Sequence, residues 1–134
     1  MIEIAVTDTH ALIWYGNRQW KKLGHRARKI FEDAEAGRAT IYVPVQGLVE
    51  LSEGIRSGRA ALPTGFSDWV TRLFASPMFF PAELTHEIVL KAEELYHIPE
   101  RGDRLIAATA AQLGYPLITR DPEIAAAAGV EVVW

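Results

Sequence analysis

Short apolar runs alternate with longer amphipathic segments along the chain, and this alternation predicts strands that alternate with helices. The apolar runs are bounded by Gly, Pro or charged residues, as strands commonly are. Because few hairpin signals join them, the strands are expected to lie parallel in one short sheet that helices flank, an α/β fold. The predicted strands are Ile2–Thr7, Ala39–Val43, Met78–Pro81, Leu117–Thr119 and Val130–Trp134.

Helices are predicted between the strands from hydrophobic residues at three- and four-residue spacing and from residues that begin and end helices. The segment His25–Ala36, for example, has one apolar face and is followed by Gly37, a residue that commonly ends helices. The other predicted helices are a brief one over Ala11–Tyr15, then Pro44–Arg56, Gly65–Ala75, one that Thr85 caps and Pro99 breaks, Asp103–Gly114, and one that Asp121–Pro122 begins.

Length and composition indicate a single domain over residues 1–134. A chain of 134 residues, 49% of them hydrophobic, can bury a core without a metal or a disulfide. Cys is absent, which excludes disulfide scaffolds, thiol catalysis and zinc–thiolate sites, so any bound metal would need oxygen or imidazole ligands. No run of about 20 apolar residues is present, and the acid at Glu3 argues against a signal peptide. We therefore expect a cytoplasmic protein with no membrane association.

The charge is unevenly distributed. The chain has 14 Lys and Arg against 17 Asp and Glu, a net charge of −3, which by itself argues against a nucleic-acid partner. The stretch from Arg18 to Lys29 nevertheless contains no acid, and it predicts a positive face on an acidic protein. A solvated helix surface is the alternative interpretation. The bases of this stretch are Arg18, Lys21, Lys22, Arg26, Arg28 and Lys29.

Four carboxylates follow predicted strands or begin predicted helices: Asp8, Glu50, Asp103 and Asp121. Ligands of parallel α/β folds bind at the carboxyl ends of the strands, where Asp8 and Asp121 are expected to lie together. Carboxylates that converge repel each other, so such a cluster is tolerated mainly with a cation. Oxygen ligands favour Mg²⁺ or Mn²⁺, and such ions can activate water to attack a phosphodiester.

Each acid also has a purely structural interpretation. Asp8, Asp103 and Asp121 are all suited to cap a helix that follows them. Glu50 could be an exposed acid on a helix surface. Spacing alone does not show that the four side chains meet.

Three segments resemble the motifs of PIN domains in bacterial VapC-type toxins, and the correspondence covers essentially the whole chain in the expected order. The segment Asp8–Trp14 (DTHALIW) resembles the opening motif of the family. Asp103–Ala110 (DRLIAATA) resembles its most recognisable helix, and Leu117–Asp121 (LITRD) its strand that ends in Thr-x-Asp. The resemblance implies a PIN-like three-layer fold with a short parallel sheet.

The resemblance also implies a metal-dependent endoribonuclease in which Asp8, Glu50, Asp103 and Asp121 are both the catalytic residues and the ligands of Mg²⁺ or Mn²⁺. Metal-activated water would hydrolyse an RNA phosphodiester bond and leave 5′-phosphate and 3′-hydroxyl ends. Glu50 is matched through its neighbours Leu48–Leu51, although a Ser that is common shortly before this Glu is absent.

Further residues are assigned around the four acids. Glu100 stands where many relatives have an Asp and is expected to be an auxiliary ligand, and Thr119 is expected to hydrogen-bond to the metal shell. Basic residues near the site are expected to contact RNA phosphates, with Arg104 also able to offset the acidic charge. The predicted substrate-binding residues are Arg18, Lys21, Lys22, Arg26 and Arg104.

The expected partners also follow from the resemblance. They are an RNA substrate, a small antitoxin protein that would dock on an apolar groove at Trp14, Phe66 or Trp69, and a second copy in a homodimer. A catalytically inactive PIN domain that acts as a binding or scaffold module is the alternative. Transfer, ribosomal and messenger RNA remain equally open as targets.

Overall fold

The structure is a computed structural model of the 134-residue chain and describes residues 3–127 and 129–134. Strands and helices alternate along these residues, as the sequence predicts. The strands are β1 (Glu3–Thr7), β2 (Ala39–Pro44), β3 (Phe79–Ala82), β4 (Leu117–Ile118) and β5 (Val132–Val133). The helices are α1 (Thr9–Gly16), α2 (His25–Glu35), α3 (Val45–Arg56), α4 (Phe66–Ala75), α5 (His86–Glu94), α6 (Arg101–Leu113) and α7 (Pro122–Ala125), with a short 3₁₀ turn at Trp20–Lys22.

The five strands form one sheet in the order β3-β2-β1-β4-β5, and every adjacent pair is parallel. The central strand β1 pairs with β2 on one side, where Ala5 is opposite Ile41, and with β4 on the other, where Thr7 is opposite Ile118. Because all strands run the same way, their carboxyl ends lie along a single edge. The predicted parallel α/β sheet is therefore confirmed.

Helices cover both faces of the sheet. Adjacent strand residues point to opposite faces, so Ala5 belongs to one core and Val6 to the other. The first core is completed mainly by α1, α2 and α4, and the second by α5, α6 and α7. The largest fully buried side chain, Phe31 of α2, lies in the first core. This arrangement gives the three layers that the sequence predicts.

Several predicted helix starts are confirmed by side-chain caps. Asp8 accepts a hydrogen bond from the amide of Ala11 at the start of α1, and Thr85 accepts one from Ile88 at the start of α5. At the other end of α6, Gly114 has a φ of 77°, a left-handed conformation that Gly adopts without steric cost.

One predicted helix start is early by one residue, and another is wrong. The helix predicted from about Pro44 is α3, which begins at Val45 after Pro44 ends β2. Helix α6 begins at Arg101 rather than at Asp103, and Glu100 is its cap. The structural interpretation of Asp103 as an N-cap is thereby removed, and its carboxylate stands within the first turn of the helix.

Other boundaries shift by a residue or two. The predicted first strand included Ile2, which lies outside the described residues; β1 is described from Glu3. The last strand is shorter than predicted, since β5 consists of Val132 and Val133 alone. Among the described residues, no helix combines the length and apolar character needed to span a membrane.

The two-sided core predicts a sharp contrast between two identical substitutions. Leu12 of α1 is 1% exposed, whereas Leu90 of α5 is 63% exposed. We expect Leu12→Ala to lower the free energy of unfolding by about 2–5 kcal/mol, because it removes packed methyl groups and leaves a cavity. Leu90→Ala should change it by no more than about 0.5 kcal/mol. Urea denaturation of both variants measures the difference, and equal losses would contradict the assignment of α1 to the core.

Candidate active site

The first acid, Asp8, lies where the central strand turns into α1. Its amide continues the β1–β4 ladder by donating to the carbonyl of Ile118 at 3.1 Å. Its Oδ1 accepts from the amide of Ala11 at 2.8 Å, so the side chain is also the helix cap. The capping interpretation and the site interpretation therefore both apply to Asp8, because one carboxylate oxygen caps the helix and the second is left for other partners.

Asp121 follows the neighbouring strand β4 at the same edge of the sheet. Its amide donates to Thr119 Oγ1 at 3.1 Å, and its Oδ1 accepts from the amide of Glu123 at 2.9 Å, which makes it the cap of α7. Burial raises the pKa of Asp8, whereas the Thr119 side chain, itself buried, lowers it. Thr119 thus lies close to both aspartates, and its contact with a metal shell stays a prediction.

The start of α6 contributes two more carboxylates. Glu100 Oε1 accepts from the amide of Gly102 at 3.2 Å, which holds this carboxylate next to the position of Asp103. Burial raises the pKa of Asp103, and the neighbouring Glu100 raises it further. Glu100 and Asp103 are therefore close enough to influence each other's charge.

The fourth predicted acid, Glu50, projects from α3 toward the same place. Its carboxylate lies against Gly102, where an added Cβ would come within 2.7 Å of Oε2 and 2.8 Å of Oε1. Only Gly leaves this space, so the Glu50 carboxylate packs directly against the backbone of Gly102. Glu50 Oε1 is buried and has no hydrogen-bond partner among the described residues, and the same is true of Thr9 Oγ1 at the start of α1.

These elements surround a cleft of about 1130 Å³. The lining residues come from α1 and the 3₁₀ turn, from α3 and the loop after it, and from the start of α6. Four acids of the predicted set line the cleft: Asp8, Glu50, Glu100 and Asp103. Asp121 is not among the lining residues, although it is close enough for its charge to affect both Asp8 and Asp103.

The carboxylates alter one another's protonation. Burial raises the pKa of Glu50 to about 7, helped by the charges of Glu100 and Asp8. Burial likewise raises the pKa of Asp103 to about 7, with further contributions from its hydrogen bond to Glu100 and from the charges of Glu100, Asp121 and Glu50. The mutual influence shows that the predicted acids share one electrostatic environment.

Asp8 experiences the same effect with more compensation. Burial raises the pKa of its carboxyl group, while hydrogen bonds from Thr119 and from the Ala11 amide lower it, as does His10. The charge of Asp121 raises it again. A buried acid near other acids is the situation in which a cation is most strongly favoured.

The donor set fits a hard divalent cation. All of the side chains are oxygen donors, and the unpartnered Oε1 of Glu50 is a buried acceptor facing other acids. Repulsion between the negative carboxylates favours larger distances between their oxygen atoms. Among residues 3–127 and 129–134, no three acidic or His side chains stand close enough to form a complete ligand set.

The predicted substrate-binding bases are dispersed. Lys22 lines the acidic cleft, whereas Arg18 pairs with Glu35 and lines a separate cavity. Lys21 and Arg26 are exposed and line neither cavity. Arg104 donates to the carbonyls of Ile98 and Pro99 at 2.8 and 2.9 Å, so it supports the loop before α6. Their contact with substrate stays a prediction, and for Lys22 alone the position in the cleft agrees with it.

Two bases that the sequence interpretation missed also line the cleft: Arg59 and Arg101. The charge of Arg101 lowers the pKa of Glu50, in opposition to the acids. Arg101 adjoins the family-like motif at Asp103, so proximity in sequence was a usable signal. Arg59 stands in a loop without any motif, and only the fold brings it to the cleft.

The aromatic residues predicted for a docking groove lie in different places. Trp14 lines the acidic cleft and packs edge-on against Trp134 at 5.9 Å between ring centroids. Trp69 lines the separate cavity and covers Gly16, where an added Cβ would lie 2.6 Å from Cζ2. Phe66 is partly buried and lines neither cavity. Docking of a partner at Trp14, Phe66 or Trp69 stays a prediction.

Comparisons with known proteins agree with this geometry. The family model of the PIN domain matches residues 5–130. None of the curated proteins matches the chain.

Solved structures share the fold over nearly the full length at low sequence identity. VapBC2 from Rickettsia felis, bound to a DNA fragment from their promoter, is 16% identical with a TM-score of 0.71, covering 98% of each chain. A toxin–antitoxin complex from Klebsiella pneumoniae is 22% identical with a TM-score of 0.61, and FitAcB from Neisseria gonorrhoeae is 19% identical with a TM-score of 0.64. Both cover 97% of this chain and 96% of the other.

The contact between Glu50 and Gly102 predicts the effect of adding one methyl group. In Gly102→Ala the added methyl group should displace the flexible Glu50 side chain into water. Its pKa should then fall from about 7 toward the ordinary value of 4.5, because the carboxyl group is no longer buried. NMR titration of the Glu50 carboxyl carbon measures this. Gly54→Ala, also within a helix but with its nearest neighbour at 3.4 Å, should leave the pKa unchanged. An unchanged pKa in Gly102→Ala would contradict the contact between the Glu50 carboxylate and Gly102.

The raised pKa of Glu50 also predicts how stability depends on pH in metal-free buffer. A carboxyl group whose pKa is higher in the folded state favours folding when protonated, so this contribution is lost as pH rises from about 4.5 to about 7. Glu50→Gln cannot ionise, so its melting temperature should exceed that of the wild type at pH 8 and approach it below pH 4.5. Glu93→Gln on α5 is the matched control. A wild-type advantage at pH 8 would disprove the expectation.

Proposed function

Because the chain belongs to the PIN domain family, we propose that it is a metal-dependent endoribonuclease and the toxin of a toxin–antitoxin pair. The observation that best supports the proposal is the buried, unpartnered Oε1 of Glu50 in a cleft that also contains Asp8 and Asp103. Keeping such acids together opposes folding electrostatically, which proteins accept mainly where function requires it.

Asp8, Glu50, Asp103 and Asp121 are the residues that would hold a divalent cation, Mg²⁺ or Mn²⁺, with Glu100 as an auxiliary ligand. When bound, such a cation neutralises the acids and makes a coordinated water acidic enough to hydrolyse a phosphodiester. The oxygen-only donor set is the chemical reason for these two ions rather than softer metals.

The chain's own residues hold the acids in place and offset part of their charge. Asp8 is held because its side chain caps α1 and its amide donates a hydrogen bond to the carbonyl of Ile118 in β4. Glu100 is held at the start of α6, where its Oε1 accepts from the amide of Gly102. Burial raises the pKa of Glu50, and the charge of Arg101 at the start of α6 opposes this effect.

A small antitoxin is proposed as the second partner. The solved structures with this fold include toxin–antitoxin complexes, and the fold itself is what this chain shares with them. Co-expression of the chain with a candidate antitoxin, followed by co-purification, tests the partnership. Homodimerisation stays a prediction of the family resemblance, which light scattering measures.

A binding or scaffold module without catalysis is the alternative function. The observation that favours it is that the described carboxylates do not form a complete ligand set. A thermal shift with Mn²⁺ separates the two functions. An active site predicts a higher melting temperature with Mn²⁺ that disappears in Asp8→Asn, and a scaffold predicts no change.

The nuclease proposal predicts cleavage of end-labelled total RNA with Mg²⁺ or Mn²⁺ and none with EDTA. Replacing an outer-shell partner of a metal typically reduces activity by about 10–100-fold, so loss of a direct ligand in Asp103→Asn should exceed about 100-fold. Asp68→Asn on the surface of α4 is the matched control and should retain full activity. Cleavage that persists in Asp8→Asn and Asp103→Asn would identify a contaminating enzyme and contradict the proposal.

A further inference from the structure

We propose that Arg59 and Lys22, which both line the acidic cleft, bind the backbone phosphates of single-stranded RNA beside the cleavage site. The inference rests on the proposed nuclease function. It adds Arg59 to Lys22, which the sequence already predicts to bind substrate, and it names a single strand as the form of RNA that the two residues bind. Neither residue belongs to the acid cluster, and Arg59 comes from a loop without any recognised motif.

Arg59 is held by a well-defined loop. Its amide donates to the carbonyl of Gly54 at 2.8 Å and its Nε donates to Ser57 Oγ at 2.9 Å. The terminal guanidinium nitrogens stay available, and a planar guanidinium with two free N–H groups suits a phosphate. Gly58, with a φ of 79°, makes the turn that brings Arg59 back to the end of α3.

Lys22 lines the same cleft from the end of the 3₁₀ turn. Its Nζ stands 6.0 Å from the ring centroid of Trp14, within the range of a weak cation–π attraction that holds the ammonium over the cleft wall. Among the described residues, no ion pair includes Lys22 or Arg59. Both cations line the cleft and have no carboxylate partner to displace before they bind a phosphate.

Both cations are displaced along the flanking helices from the acids. Asp8 precedes α1, whereas the Lys22 ammonium lies over Trp14, six residues farther along and so about 9 Å along the helix axis. Glu50 is in the middle of α3, whereas Arg59 follows the end of that helix. Lys22 and Arg59 are therefore suited to phosphates that flank the scissile one.

A hydrogen bond joins the segments that carry the two cations. Asn17 Nδ2, after α1, donates to the carbonyl of Ala61, after α3, at 2.8 Å. Proteins recognise an A-form duplex mostly by its outer shape, whereas a single strand can enter a cleft with its bases accessible. A single strand, with its narrow backbone and accessible bases, is the polyanion that fits.

Binding to a fluorescent single-stranded oligouridylate, measured by anisotropy in EDTA so that no cleavage occurs, tests the inference. Each phosphate contact to single-stranded nucleic acid contributes about 0.7 to the slope of log affinity against log salt. Arg59→Gln and Lys22→Gln should therefore each weaken binding about fivefold at 0.1 M salt and reduce the slope by about 0.7. The double variant should lose about 1.4 in slope.

Arg56→Gln and Lys91→Gln, alone and combined, are controls with the same charge change outside the cleft, and melting temperatures verify folding. Equal losses in the controls, no loss in the cleft variants, or no binding of oligouridylate by the wild type would each overturn the inference. So would equal binding of a poly(A)·poly(U) duplex. A poly-Glu peptide that binds with the same Arg59 dependence while RNA does not would identify a peptide site. RNA cleavage by the wild type separately decides the proposed function.

Discussion

The hydrogen bond from the Asp8 amide to the Ile118 carbonyl extends the pairing of β1 with β4, and the geometry of the whole site depends on it. It places the end of the central strand beside the strand that precedes Thr119 and Asp121. The Asp8 side chain then caps α1, which directs that helix along one wall of the cleft. One residue thus joins sheet, helix and acidic cluster.

The acids oppose this arrangement electrostatically. Burial and mutual repulsion raise the pKa values of Glu50 and Asp103 to about 7, so part of the free energy gained in the two cores offsets the unfavourable site. Sites that concentrate unfavourable interactions in this way are characteristic of functional regions. The helix caps at Asp8 and Asp121 recover some of that free energy, since each uses a carboxylate oxygen to satisfy a backbone amide.

Much of the fold followed from the sequence, because short apolar runs and helix caps are local signals. Asp8, Thr85 and Asp121 were correctly interpreted as caps, and the parallel sheet followed from the order of elements. The start of α6 was wrong because Glu100, a less common cap than Asp, performs that role. Both Glu100 and Asp103 can cap a helix, and only the path of the backbone shows that Glu100 is the cap of α6.

The candidate site was predictable in its acids and much less so in its bases. The acids follow strands, so topology alone brings them to one edge, whereas charge along the sequence does not reveal which direction a base faces. Arg18, for example, pairs with Glu35 away from the cleft, while Arg59 reaches it through a turn that no motif marks. Which bases reach the cleft depends on contacts between residues that are distant in sequence, and these contacts are established only in the folded chain.

The sheet order has a consequence for how the molecule folds. The middle strand β1 is synthesised first, yet its partner β4 comes near the other end of the described chain, and Thr7 must meet Ile118 across that whole length. Closing so long a loop is slow, because the entropy is lost before any contact compensates for it. Local units such as α5 with α6 can form earlier. The cluster of acids is therefore assembled late, and a chain interrupted before β4 has helices and part of a sheet without a complete site.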